Sequence, residues 1–198
     1  MKKVGILLFD DIELLDFAGP YEVFAVADEL NDHTLFDVFT LSETSQEVRT
    51  VHGLRVQPDY AIDRSPHIDI LVIPGGDGTK AVIKNKALLD WIRDAYDKSA
   101  ITFSVCSGAR IPAILGLLTG MEFATHHAVV EDVTALAPDG IYRKDRRFVD
   151  NGRLMTAAGI SAGIDLALHI VEKLYGASVK EQTMQYMEYI QNKAKGKG

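Results

Sequence analysis

ITFSVCSGARIPAILGLLTG, residues 101–120, is the stretch whose reading decides the fold. Ile101–Val105 is a short apolar, β-branched run and reads as a buried strand. Cys106 follows at once, then Ser107 and Gly108, and Ala109–Leu118 is apolar enough for a largely buried helix. A strand that becomes a helix within three residues holds one side chain up at the end of a sheet, as a nucleophile elbow does. Gly108 relieves crowding beside that side chain, and strained backbone dihedrals are expected at Cys106 itself. The helix start aims free N–H groups and a positive dipole end at the sulfur, which predicts a stabilised thiolate. Cys106 is the only cysteine in the chain. It reads as a reactive thiol, against the plainer alternative of a small buried hydrophobe.

Outward from this stretch, strands and helices alternate. Lys3–Phe9 is a continuous apolar strand, followed by the loop DDIELLDFA over residues 10–18. Gly19-Pro20 is expected to start a helix over Tyr21–Leu30, with Pro in the first turn. Leu35–Leu41 is a strand. Val48–Val51 and Leu54–Val56 form a hairpin through His52-Gly53 at the sheet margin. Ile68–Ile73 is a buried strand that runs into Pro74-Gly75-Gly76-Asp77-Gly78, and Lys86–Tyr96 is helical. Beyond the central stretch come a short strand at Glu122–Thr125 and a helix at Ala128–Leu136. Two strands then flank the hairpin signal Asn151-Gly152 within Ile141–Ala157. Helices follow at Ser161–Tyr175 and Val179–Ile190, and residues 192–198 are expected to fray. This alternation predicts a doubly wound α/β fold, a mostly parallel sheet with helices on both faces. Ligands bind such sheets beyond the carboxyl ends of the strands. The Asp10–Gly19 loop, the Pro74–Gly78 loop and Cys106 all fall there, so one cleft with three walls is expected.

The 198 residues are 47% hydrophobic and 25% charged, which suits one domain over residues 1–198 with a substantial core. The net charge of −7 disfavours nucleic-acid and anionic-membrane partners. One cysteine rules out an intramolecular disulfide framework and fits a reducing, cytoplasmic setting. Asp10 and Asp11 end the N-terminal apolar run too early for a signal peptide. No stretch approaches a membrane span and no His/Cys group has metal-ligand spacing, so neither a metal nor a cofactor is expected.

Asp16 is the second candidate. In the apolar setting Leu14-Leu15-Asp16-Phe17 its carboxyl is expected to be desolvated, with a raised pKa suited to acid/base work. The alternative is a helix-capping Asp. Asp11 and Glu13 compete on the same loop, and Glu22 is equally plausible as a partner of the helix dipole. Gly75, Gly76 and Gly78 form a loop whose N–H groups can stabilise negative charge on a reacting atom, although such loops are often only turns. Ser107 is read as a donor to thiolate or substrate, or as a helix N-cap. His126 and His127 are candidates to complete a Cys–His pair, and spacing selects neither. Arg110 reads as an ion-pair partner. Phe17, Tyr21 and Ile160 read as pocket walls or ordinary core.

VGILLFDDIELLDFAGPYEVF, VIPGGDG, VCSGARIPAILGLLTG, ATHH and TAAGISAGIDLALHIVE together resemble the ThiJ/PfpI group of the class I glutamine amidotransferase-like superfamily. Within it the chain is most similar to isonitrile hydratases and to the ligand-binding halves of AraC-type regulators. The resemblance runs from Val4 to about Tyr175. It implies a flavodoxin-like fold, a homodimer, Cys106 as nucleophile, Asp16 as the catalytic acid and Gly75-Gly76 as an oxyanion loop. PfpI-type peptidases of this group carry His directly after the cysteine, and Ser107 stands there instead, which argues against peptidase chemistry. Isonitrile hydratases typically carry Thr there, so Ser is a small departure. The implied reaction converts a small isonitrile to an N-substituted formamide through a Cys106 thioimidate. A stand-alone ligand or thiol sensor is the second reading, and a glyoxalase or protein-repair activity the third. The third usually pairs Cys with Glu, so Asp16 counts mildly against it. Under the first reading the Asp16 carboxyl lies within hydrogen-bond reach of the Cys106 sulfur or of a ligand beside it.

Overall fold

The buried apolar runs of the sequence lie side by side as parallel strands in the computed structural model, which describes residues 1–190. In chain order the first half comprises β1 (Lys2–Leu7), α1 (Leu14–Glu29), β2 (Phe36–Ser42), β3 (Val48–Arg49), β4 (Arg55–Val56), β5 (Tyr60–Ala61), β6 (Ile70–Ile73), α2 (Thr79–Val82) and α3 (Lys86–Lys98). The second half comprises β7 (Ile101–Val105), α4 (Arg110–Ile114), β8 (Glu122–Phe123), α5 (Val130–Leu136), β9 (Ile141–Tyr142), β10 (Phe148–Asp150), β11 (Leu154–Ala157), α6 (Ala162–Tyr175) and α7 (Ala177–Tyr186). The main sheet has the order β10-β11-β7-β6-β1-β2-β5, parallel throughout except for β10 on β11. Every residue of β6, β7 and β11 is buried, as a sheet covered on both faces requires. The fold is therefore doubly wound, with the strand order reversing between β1 and β6.

Right-handed crossovers run in opposite directions along the sheet from β1 and from β6, so they place α1 and α3 on opposite faces. α1, α6 and α7 pack together on one face. The approach of α1 to α6 is close because Gly19 lies against Ile164, where a Cβ would come within 2.9 Å of the side chain. α3 turns Leu88, Ile92 and Ala95 inward, and its start is capped by the Asn85 side chain, which accepts the Leu88 N–H at 3.1 Å.

Two expected helices differ. α1 begins at Leu14, not Tyr21, so Asp16 lies in its first turn and Pro20 in its interior. The missing Pro20 N–H leaves the Asp16 carbonyl without its helical donor, yet the apolar residues on either side of Pro20 keep the helix continuous by burial. The helix expected over Ala109–Leu118 is a 3₁₀ turn, Cys106–Ala109, followed by the five-residue α4. Turns replace the rest, up to Gly116 and Gly120 with φ of +71° and +70°. The 48–56 hairpin forms, with Val48 opposite Val56, but as a separate two-stranded ribbon; the sheet margin there is β5, which is too short to show a period. β8 pairs with β9 in a second small ribbon, and the hairpin at Asn151-Gly152 joins β10 to β11. The fraying expected at 192–198 lies outside the described residues.

Candidate active site

β7 ends at Val105, and the next residue carries the turn. Cys106 has φ +58°, a left-handed conformation that L-residues with a Cβ seldom adopt. The strain is held from both sides. The Cys106 N–H donates to the Ala158 carbonyl at 3.0 Å, and Thr125 Oγ1 donates to the Cys106 carbonyl at 2.7 Å. Gly108 lets the turn press against the end of β6, since a Cβ there would lie 2.4 Å from the Ile73 carbonyl oxygen. The backbone N–H groups of Ser107 and Ile160 are near enough to the sulfur to favour its charged form. Burial nevertheless pushes the thiol up to about 12, helped by the negative charge of Asp16 and opposed by those two N–H groups. The thiolate expected from a helix dipole is thus not the resting state. A 3₁₀ turn and a five-residue helix supply little dipole, and desolvation outweighs it.

Asp16 is fully buried. Its Oδ2 accepts the Gly75 N–H at 2.9 Å. Burial pushes its carboxyl up to about 7, against the lowering effect of that hydrogen bond; the charge of Glu13 adds to the rise, and the contact with the Cys106 thiol opposes it. A position in the first turn of α1 favours the ionised form by roughly 0.3–1 kcal/mol. A tenfold change in a protonation equilibrium is worth about 1.4 kcal/mol, so burial wins. Asp16 Oδ1 is buried with no partner of full hydrogen-bond geometry, although carboxyl and thiol are near enough to perturb each other.

The glycine loop differs from expectation in what its donors face. The Gly75 N–H is taken up by Asp16, and the Gly76 N–H by Ser107 Oγ at 2.9 Å. Neither is free for a reacting oxygen. Ser107 Oγ in turn donates to the Gly76 carbonyl at 3.1 Å, so the hydroxyl ties the loop to the elbow and neither caps a helix nor reaches the sulfur. Gly75 has to be glycine: a Cβ would sit 2.7 Å from both Asp16 Oδ2 and the Ser107 nitrogen. The Gly76 carbonyl also accepts from Thr79 Oγ1 at 2.8 Å, and Thr79 Oγ1 accepts from the buried Arg110 at 2.9 Å. Arg110 pairs with Asp132, as an ion-pair role predicts.

The rival residues separate by placement. Asp11 and Glu22 are exposed. Glu13 is partly buried, 3.9 Å from His52, and close enough to both Asp16 and His126 to perturb them. His126 accepts the Ala128 N–H at 3.2 Å and lies against His127, with ring centroids 4.2 Å apart; burial lowers its pKa. Phe17 is core, whereas Tyr21 is 36% exposed. A cavity of about 400 Å³ opens beside the elbow, lined by Thr125, Ala158 and Ile160 and by His126 and His127. Ile160, read only as a wall, contributes its N–H to the sulfur and has φ +43°. Roles carried by backbone, as for Ile160 and Ala158, leave no trace in residue type. Among the described residues no group of His, Cys, Asp and Glu could hold a metal, and no helix is long and apolar enough to cross a membrane.

Fold and site together define a doubly wound α/β protein with a cysteine elbow at the edge of its switch point. A family model for the DJ-1/PfpI family matches residues 2–173, and the chain belongs to that family. It is 31% identical over 188 residues to an isonitrile hydratase from Pseudomonas putida, covering 94% of this chain and 78% of that protein. It is 25% identical over 175 residues to the HTH-type transcriptional regulator GbdR of Pseudomonas aeruginosa, covering 88% of this chain and only 47% of the regulator. Among solved structures, a ThiJ/PfpI family protein from Pseudomonas syringae superposes with a TM-score of 0.86 at 24% identity, over 96% of this chain and 76% of that one.

Proposed function

We propose that the protein hydrates a small isonitrile to an N-substituted formamide, with Cys106 as nucleophile and Asp16 as proton carrier. The observation that carries this reading is a buried carboxyl, raised to about 7, near enough to perturb the only thiol of the chain at a left-handed turn. The likeness to an isonitrile hydratase supports it. The reactive form is the one in which the shared proton sits on Asp16 and the charge on sulfur. The Ser107 and Ile160 N–H groups favour that form. Sulfur attacks the terminal carbon of R–N≡C, and the Asp16 proton goes to that carbon, giving the thioimidate R–N=CH–S–Cys106. Ionised Asp16 then takes a proton from water while the hydroxide adds to the same carbon. The proton passes from Asp16 to nitrogen. Collapse returns the hydroxyl proton to Asp16, expels the thiolate and releases R–NH–CHO. Cys106 supplies the nucleophile and Asp16 carries every proton, so no further side chain is needed.

Cys106→Ala should abolish turnover of benzyl isonitrile. Asp16→Asn keeps shape and a donor but carries no transferable proton, so it should bind the isonitrile and lower kcat about a hundredfold or more. Full turnover by Asp16→Asn would contradict the assignment and turn attention to Glu13 or His126. A second reading, a ligand or thiol sensor, draws on the likeness to GbdR. Saturable isonitrile binding with no formamide formed would favour it.

A further inference from the structure

The stretch from Ile141 to Phe148 carries Arg143, Lys144, Arg146 and Arg147 with one acid, Asp145, on a chain whose net charge is −7. Two of these cations are held elsewhere: Arg143 by Glu122 and Asp145, and Arg147 by Asp165. The other two line the cavity beside the elbow, together with His126 and His127. Lys144 has no ion-pair partner among the described residues. Arg146 has only Asp145, at 3.6 Å, an acid it shares with Arg143 at 3.2 Å. The same cavity is lined by Thr125 and Ala158, which hold the Cys106 backbone, and by Ile160, whose N–H lies near the sulfur. Asp16 is close enough to the sulfur, and Glu13 to Asp16 and His126, to perturb them. The cavity therefore brings two cations together with residues in direct contact with the elbow.

We propose that this cavity takes a small ligand bearing a carboxylate, with the carboxylate on Lys144 and Arg146 and the reactive head toward Cys106. The inference deepens the reading of Cys106 as the reacting group and names an anionic substrate class where the chemistry alone asks only for an apolar one. Charge focused in a cleft raises local anion concentration, and the charge of Asp16 beside the sulfur disfavours the anionic end there.

Two probes test it without any turnover, so a failure of isonitrile hydration and a failure of this proposal are read separately. The first is alkylation of Cys106, in which sulfur displaces iodide from iodoacetate or from iodoacetamide, followed by intact mass at one mildly alkaline pH. Iodoacetate should react roughly tenfold faster than iodoacetamide. K144M/R146M should bring the ratio of the two rates to about one, a readout that cancels any change in thiolate fraction. The second is NMR of the His126 and His127 ring signals during titration with 3-methylbutyrate and, separately, its amide. Saturable changes in these signals are expected with the carboxylate only, and they should vanish in K144M/R146M. Equal or slower reaction with iodoacetate, or equal responses to carboxylate and amide, would overturn the proposal. If Cys106 resists both alkylating agents, the NMR titration decides alone.

Discussion

At the scale of residues the account rests on two buried side chains that titrate together. With the carboxyl at about 7 and the thiol at about 12, the first proton leaves the pair near neutrality and the second far above it. The form lacking one proton is the active one. The kcat/KM of the hydration should therefore rise with pH through about 7 and then stay level, and a profile flat across that window would count against the pairing. Stability should move the opposite way. Below about pH 4 the carboxyl is protonated in folded and unfolded chains alike. As pH rises towards 7 the unfolded chain ionises first, so stability falls through that window and remains lower above it. The cost approaches about 4 kcal/mol for Asp16 taken alone. Asp16→Asn should thus be more stable than the wild type at about pH 8, with the gain shrinking towards pH 4; thermal melts at the two pH values check the sign.

At the scale of elements, what holds the pair is a loop that the sequence showed only as glycines. Arg110, Thr79, Gly76 and Ser107 form one hydrogen-bonded chain from α4 to the β6 end, and Gly75 hands its N–H to Asp16. Gly75→Ala drives a methyl into the carboxyl and the elbow backbone. It should cost about 1–3 kcal/mol in denaturant unfolding and lower kcat as well. Arg110→Met removes a charged donor from the Thr79 hydroxyl, which keeps its bond to the Gly76 carbonyl, and leaves an exposed Asp132 that water can serve, so a loss of about 1–3 kcal/mol is expected in the same measurement. Cys106 and Asp16 were legible because each is an unusual residue in an apolar run. The uses of the Gly75 and Gly76 N–H groups were not legible, because a glycine's type says nothing of its partner. The true start of α1 is hidden in the sequence because Gly19-Pro20 looks like a boundary. There tertiary burial against α6 overrides the local signal.

At the scale of the molecule the doubly wound sheet was readable from strand–helix alternation, and its reversal between β1 and β6 sets the Asp16 and glycine loops side by side. The short ribbons and β5 carry too few residues to show a period. Leu14, Leu15, Tyr21, Val51 and Leu54 remain exposed around the start of α1 and the adjoining 48–56 hairpin, where the Val51 N–H donates to Ile12. We propose that two copies pair through this face, near the site. Light scattering at micromolar concentration should give twice the chain mass of 21.8 kDa, and Leu14→Glu should lower it; a monomeric wild type would refute the pairing. The central claim, that Asp16 and Cys106 act as one titrating unit, is tested most directly by the ultraviolet absorbance of the Cys106 thiolate against pH in wild type and Asp16→Asn. Cys106 is the only cysteine, and Cys106→Ala supplies the tyrosine baseline. Removal of the neighbouring carboxylate should bring the thiol down from about 12 toward its ordinary value; an unchanged or higher titration in Asp16→Asn would contradict the account.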